Sequence, residues 1–169
     1  GVNPMSAASK KVFSATLGLM ILAASGAVAA DPAGVVLSLK GSAFANDADG
    51  KLRPLKRGQE VFEQELVCTE SGSQLQLKMK DGALYTLKDR SRLDIDEYRY
   101  DAGNPEAGSV SLNLVEGALR TVSGAVGKFN VEAYSLKAGT ASIGIRGTEF
   151  EVAYKDAPTA SLEEWCSRK

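Results

Sequence analysis

The sequence predicts an all-β protein: one antiparallel, curled or solenoid-like sheet module behind an N-terminal signal peptide. Three observations predict it. Apolar and polar residues alternate with period two from Val35 to Tyr154. Clusters of Gly, Asn and Asp punctuate these runs at short intervals. No stretch after residue 31 holds apolar residues at i, i+3, i+4 and i+7 for three turns.

The N-terminus comes first. Met5 opens a polar stretch ending in Lys10 and Lys11, an apolar run follows from Val12 to Ala24, and Ser25, Gly26, Ala27, Val28, Ala29 and Ala30 close it. A basic region, an apolar region and an A-x-A-like site, in that order, make a secretory signal peptide with cleavage near Ala29 or Ala30. The apolar run is shorter than the roughly 20 residues of a membrane span, and no second long run follows. The chain is therefore divided into residues 1–4, a non-native or over-extended leader; 5–30, the signal peptide; 31–155, the β domain; and 156–169, a tail. That tail reads as frayed, as a short helix from Ser161, or as the end of a truncated chain. Export places the mature chain in the periplasm or outside the cell.

Within 31–155 the strands follow one another. Leu75, Leu77 and Met79 alternate with Gln74, Gln76, Lys78 and Lys80, and Leu93 and Ile95 with Arg92, Asp94 and Asp96. Val110, Leu112 and Leu114 alternate with Ser109, Ser111 and Asn113, and Phe150, Val152 and Tyr154 with Glu149, Glu151 and Lys155. Each is a strand with one apolar and one wet face, as in antiparallel or solenoid sheets. Asn46 to Gly50, Glu70 to Ser73 and Asp101 to Gly108 read as turns or loops. Asp81-Gly82 reads as a type I′ hairpin turn, and Glu116-Gly117 and Ser123-Gly124 as further breaks. The segment from Asp81 to Leu87 echoes that from Glu116 to Val122, either as a duplicated unit or as two hairpins with the same turn chemistry.

Composition narrows function. The 169 residues are 44% hydrophobic, enough for the core of one domain. Lys and Arg number 20 against 21 Asp and Glu, so there is no basic excess to meet nucleic acid. Histidine is absent, which removes Ser-His-Asp and Cys-His catalysis and His-ligated metals. The expectation is a non-enzymatic module with no cofactor and no metal. Cys68 and Cys166 are the only cysteines; in an oxidising compartment they can form one disulfide or stay as two thiols.

The most specific run is Ala141 to Val152. Gly144 and Gly147 bracket Arg146, allowing a tight bend, and Thr148 can close it through its hydroxyl. Arg146 can face a partner, or staple the bend by satisfying backbone carbonyls. Tyr98 and Tyr100, at i and i+2, form an aromatic surface for a glycan or peptide, or pack within a sheet. Asp94, Asp96, Glu97 and Asp101 read as a solvated strand face. Lys51, Arg53, Lys56 and Arg57 do likewise, unless they meet an acidic partner. Nothing sets a separation between Asp47 and Glu65 or Glu70 as a glycosidase-like pair.

Five segments, in order, resemble the FecR-domain family of bacterial envelope proteins. They are Pro54 to Val61, Val67 to Gln74, Met79 to Leu84, Leu112 to Arg120, and Gly144 to Phe150, the last close to the family's G-V-R-G-T-x-F signature. The stand-alone secreted subgroup is also similar at Glu97 to Asp101. The resemblance implies a periplasmic β-rich module in envelope sensing and signal transduction that binds a protein partner and has no catalytic residues. In the regulators that name the family, that partner is the signalling domain of a TonB-dependent receptor, and the signal passes on to a cytoplasmic sigma factor. Those regulators carry a cytoplasmic segment and a span, where this sequence has only the few residues before Val12. The resemblance thus carries the domain rather than the whole pathway. An exposed strand edge that extends a partner's sheet suits such an architecture. The alternative is a structural or glycan- and peptidoglycan-binding envelope module.

Overall fold

The computed structural model describes residues 1–2, 30–145, 147–155 and 162–167. The expected signal peptide, apart from Ala30, lies outside the described residues, as does Arg146. The described chain is mostly antiparallel sheet, curled into a half-barrel. One half pairs β1 (Gly34–Lys40) with β4 (Glu60–Val61) and with β6 (Gln74–Met79), which pairs in turn with β7 (Leu84–Leu87). The other half runs β3 (Leu52–Pro54), β2 (Ala43–Asn46), β5 (Glu65–Thr69), β8 (Arg92–Arg99).

A single long strand, β9 (Ser109–Val122), joins the halves. Its first part pairs with β8 and its last part with β7. The chain then passes through the short helix α1 (Ala125–Phe129) to β10 (Tyr134–Ala138), β11 (Ala141–Ile143) and β12 (Glu149–Tyr154). β10 lies parallel to β9, an exception to the expected antiparallel pairing; the crossover through α1 brings it back in the same direction.

The alternation read from the sequence places the core. Leu75, Leu77, Leu93, Ile95, Leu112 and Leu114 are fully buried, with Leu119 and Leu136 beside them. Burying each such side chain stabilises the fold by about 1.5–3 kcal/mol. The wet faces carry the polar residues between them.

Two expected breaks differ. Glu116-Gly117 does not end a strand; β9 runs through it and bends. Gly117 has φ +97°, and a Cβ there would lie 2.2 Å from Ser91 Oγ and 2.4 Å from Ser91 Cα. The Ser91 hydroxyl accepts the Ala118 N–H at 3.0 Å. The passage from β1 to β2 uses the same device: Gly41 has φ +79° against Ser73, whose hydroxyl accepts the Ser42 N–H at 2.9 Å. These two corners are thus each a left-handed glycine with a serine in the space its side chain would fill. The echo between 81–87 and 116–122 is therefore neither a repeated hairpin unit nor two hairpins with the same turn chemistry, since one copy is a hairpin and the other a mid-strand bend.

The hairpin at Asp81-Gly82 is not type I′ either. Only Gly82 there has positive φ, +86°, and its N–H donates to Met79 O at 2.9 Å. This is a turn followed by a left-handed glycine rather than two left-handed residues. The Asp81 carboxylate selects it by accepting the Ala83 N–H at 3.1 Å.

A second, smaller core lies apart from the first. It joins Leu66 and Cys68 of β5 to Trp165 and Cys166 at the helix α2 (Leu162–Trp165), with Phe44, Leu52 and Val115 against it. Cys68 and Cys166 form a disulfide across 98 residues. The Trp165 indole N–H donates to Thr69 O at 3.2 Å, and the guanidinium groups of Arg90 and Arg92 lie 4.5 and 4.7 Å from its ring centroid.

Candidate functional site

β11 pairs only with β10, and β12 only with β9, so among the described residues both are edge strands. The segment 144–148 links them. It is anchored from inside: Ile145 is 7% exposed and approaches Gly127 of α1. Ser123 donates its N–H to Thr148 O at 2.8 Å and its hydroxyl to Gly147 O at 3.4 Å. Gly147 has φ +94°, which suits glycine alone. Gly144 is different: its φ is not positive, and a Cβ there would meet nothing within 4 Å. The bend therefore needs one of its two glycines. Thr148 contributes its carbonyl.

Tyr98 and Tyr100 do not form an exposed aromatic surface. Tyr98 is fully buried, and Tyr100 is half-buried against the same core. The reason is a register shift in β8 between Ile95 and Glu97. Strict alternation from Leu93 and Ile95 would turn Tyr98 outward; the bulge turns it in. Its hydroxyl donates to Asp81 Oδ1 at 2.6 Å, and Tyr85 lies between Tyr98 and Tyr134, its hydroxyl 3.3 and 3.1 Å from theirs.

Asp81 is the hub of this network. Its other oxygen accepts the Val126 N–H at 3.1 Å, and its carbonyl accepts the Ala125 N–H at 2.9 Å. The β6–β7 hairpin is thereby tied to the start of α1, the element that seats Ile145. Burial raises the pKa of all three tyrosines, and the Asp81 charge adds to this at Tyr98. The folded hydroxyls hold their protons more tightly than the unfolded ones, whose pKa is about 10. This contribution to stability is complete below about pH 10 and is lost as pH rises above it. In an alkaline titration, phenolate absorbance from these three should appear in the same cooperative step that abolishes the β-sheet circular dichroism. Their ionisation ahead of that step would contradict the buried network.

Charged candidates pair with one another. Arg53 holds Glu65 through two nitrogens at 2.8 and 3.2 Å, and Glu65 also accepts the Phe62 N–H. One member of the basic patch is thus spent on one member of the suggested acid pair. A cavity of about 510 Å³ lies between the 46–50 loop and Cys166. Sequence reasoning missed Phe129 and Val131, which are 70% and 46% exposed. Between them, Asn130 donates to Glu106 O at 2.7 Å and fixes the loop. The available signal was two apolar residues flanking an Asn just after a Ser-Gly break.

No helix among the described residues is long and apolar enough to cross a membrane. No curated protein matches the chain. A solved structure described as a cell surface anchoring domain is 26% identical, with a match covering 37% of this chain and 82% of that one and a TM-score of 0.36. The family model described as FecR protein matches residues 65–163. That span runs from β5 through β12 into α2, and takes in the long bent strand, the anchored bend and both edge strands. It covers more than half of the sequence, and the chain belongs to the FecR family.

Proposed function

We propose that the chain is a non-enzymatic periplasmic module of envelope sensing that binds a protein partner at its bend and β12 edge. The observation that carries this reading is β12, six residues long and paired on one side only among the described residues. Such an edge recognises another chain through backbone hydrogen bonds. The bend Gly144, Arg146, Gly147 and Thr148 leads directly into it, and Arg146 supplies a specific contact there. A signalling domain of a TonB-dependent receptor is the partner that family membership favours. Glycan binding is the weaker reading, because Tyr98 is committed to the core.

The test is a crosslinking pull-down from envelope extract, with the chain and its Arg146→Ala variant as baits. The wild type should capture an envelope protein that the variant loses while keeping the same circular dichroism. Recovery of peptidoglycan fragments alone, or of nothing beyond a matched control, would sink the reading. A variant that captures normally would remove Arg146 from it.

A further inference from the structure

The backbone groups of β12 left unused among the described residues can be named. Ser123 N–H donates to Thr148 O, so these two residues form a hydrogen-bonded pair. In antiparallel register such pairs recur at every second residue, which makes Phe150–Thr121, Val152–Leu119 and Tyr154–Gly117 the others. The opposite side of β9 agrees. Lys88 N–H donates to Ala118 O, so residues 118, 120 and 122 serve β7 and leave 117, 119 and 121 for β12. The N–H and C=O groups of Glu149, Glu151 and Ala153 therefore point to the free edge.

The side chains sort the same way. Phe150, Val152 and Tyr154 face the main core but are only half-buried, so they form its rim. Glu149, Glu151 and Ala153 are exposed. Glu149 is bonded to Arg120, whereas Glu151 makes no salt bridge among the described residues. An added strand would meet an apolar rim on one face and, on the other, a carboxylate with no salt bridge among the described residues.

We infer that β12 seats an extended segment of a protein partner in which apolar residues alternate with Lys or Arg. The apolar positions would cover Phe150, Val152 and Tyr154, and a basic position would face Glu151. A second copy of β12 is disfavoured in its two central registers: paired about Phe150 it sets Glu149 against Glu151, and paired about Glu151 it sets that residue against itself. The inference rests on the partner-binding reading and specifies its chemistry.

The experiment uses six-residue probe peptides, one alternating Val and Lys and one alternating Val and Glu, added to the full chain. Amide exchange is followed by NMR, and affinity by titration. In the free chain the amides of Phe150 and Val152 should already be protected, being bonded to β9. The Val/Lys peptide should newly protect Glu149, Glu151 and Ala153, and should bind at least about tenfold more tightly than the Val/Glu peptide. Ala153→Pro removes an outward donor and no internal bond. It should weaken binding about tenfold while leaving Phe150 and Val152 protected. If that variant loses those two protections, Glu151→Lys decides instead, because it leaves the backbone intact. It should reverse the preference between the peptides.

Equal binding of the two peptides, new protection elsewhere, or an unaffected Glu151→Lys preference would overturn the inference. So would a dimer, without peptide, that Ala153→Pro dissociates. Pull-down of an Arg146-dependent partner together with any of these failures would leave the function standing and place the contact away from β12.

Discussion

Gly117→Ala is expected to be the most damaging single substitution in the chain. The residue has φ +97°, and its missing Cβ is the space that Ser91 fills. Ser91 cannot retreat. It is fully buried, its N–H donates to Thr69 Oγ1 at 2.9 Å, and its carbonyl accepts the Thr69 N–H at 2.9 Å. An L-residue at that φ costs about 1–3 kcal/mol, and forcing a methyl into filled space costs about 1–3 kcal/mol more. Together these come to about 2–6 kcal/mol, a large fraction of a typical domain's stability of about 5–15 kcal/mol. Urea unfolding should show a strongly lowered midpoint. Gly147→Ala is the control: its φ is +94°, but a Cβ there meets nothing within 4 Å, so only the backbone strain applies. Equal losses at the two glycines would refute the account of the corner.

Breaking the disulfide should have the second-largest effect. Cys68 and Cys166 close a loop of 98 residues, and on the chain-entropy model such a link is worth about 3–5 kcal/mol. The chain has one tryptophan, and it sits beside the bond. Trp165 is 6% exposed, so its emission reports on this small core alone. In Cys166→Ser, or after reduction, emission should shift to the red at denaturant concentrations below those that unfold the sheet. The helix α2 has only Leu162 to Trp165 and cannot hold itself without tertiary contacts. Unchanged emission on reduction would mean that the arginine stacking and the Thr69 bond hold the ring unaided.

The strands were legible wherever one face is buried, because period two survives in the residues themselves. The alternations at 75–79, 93–95 and 110–114 became the core without correction. Features set by distant partners were not legible. Asp-Gly and Glu-Gly look alike in sequence. What makes one a hairpin and the other a bend is Ser91, 27 residues before Ala118. Tyr98 was lost to a single bulge, which inverts the parity of everything after it. The disulfide could be written as a pair but not decided, since nothing local brings β5 to a segment beyond β12. In the candidate site, the Gly147 bend was legible from its residue types. Its anchoring through Ser123 and Ile145 was not, because α1 is too short to leave a helical pattern.

The two-sided pairing of β9 also sets an order of assembly. Before it is added, β4-β1-β6-β7 and β3-β2-β5-β8 are two four-stranded pieces, and the chain crosses between them at β1–β2, β3–β4, β4–β5, β5–β6 and β7–β8. Each piece has an open edge, at β7 and at β8, and the seam between those two edges is unclosed. A polypeptide released from its N-terminus onward therefore carries two unsealed half-walls until about residue 122 is free. The step that seals them is then a single zippering event along both edges at once, so completion of the fold is nearly all-or-none.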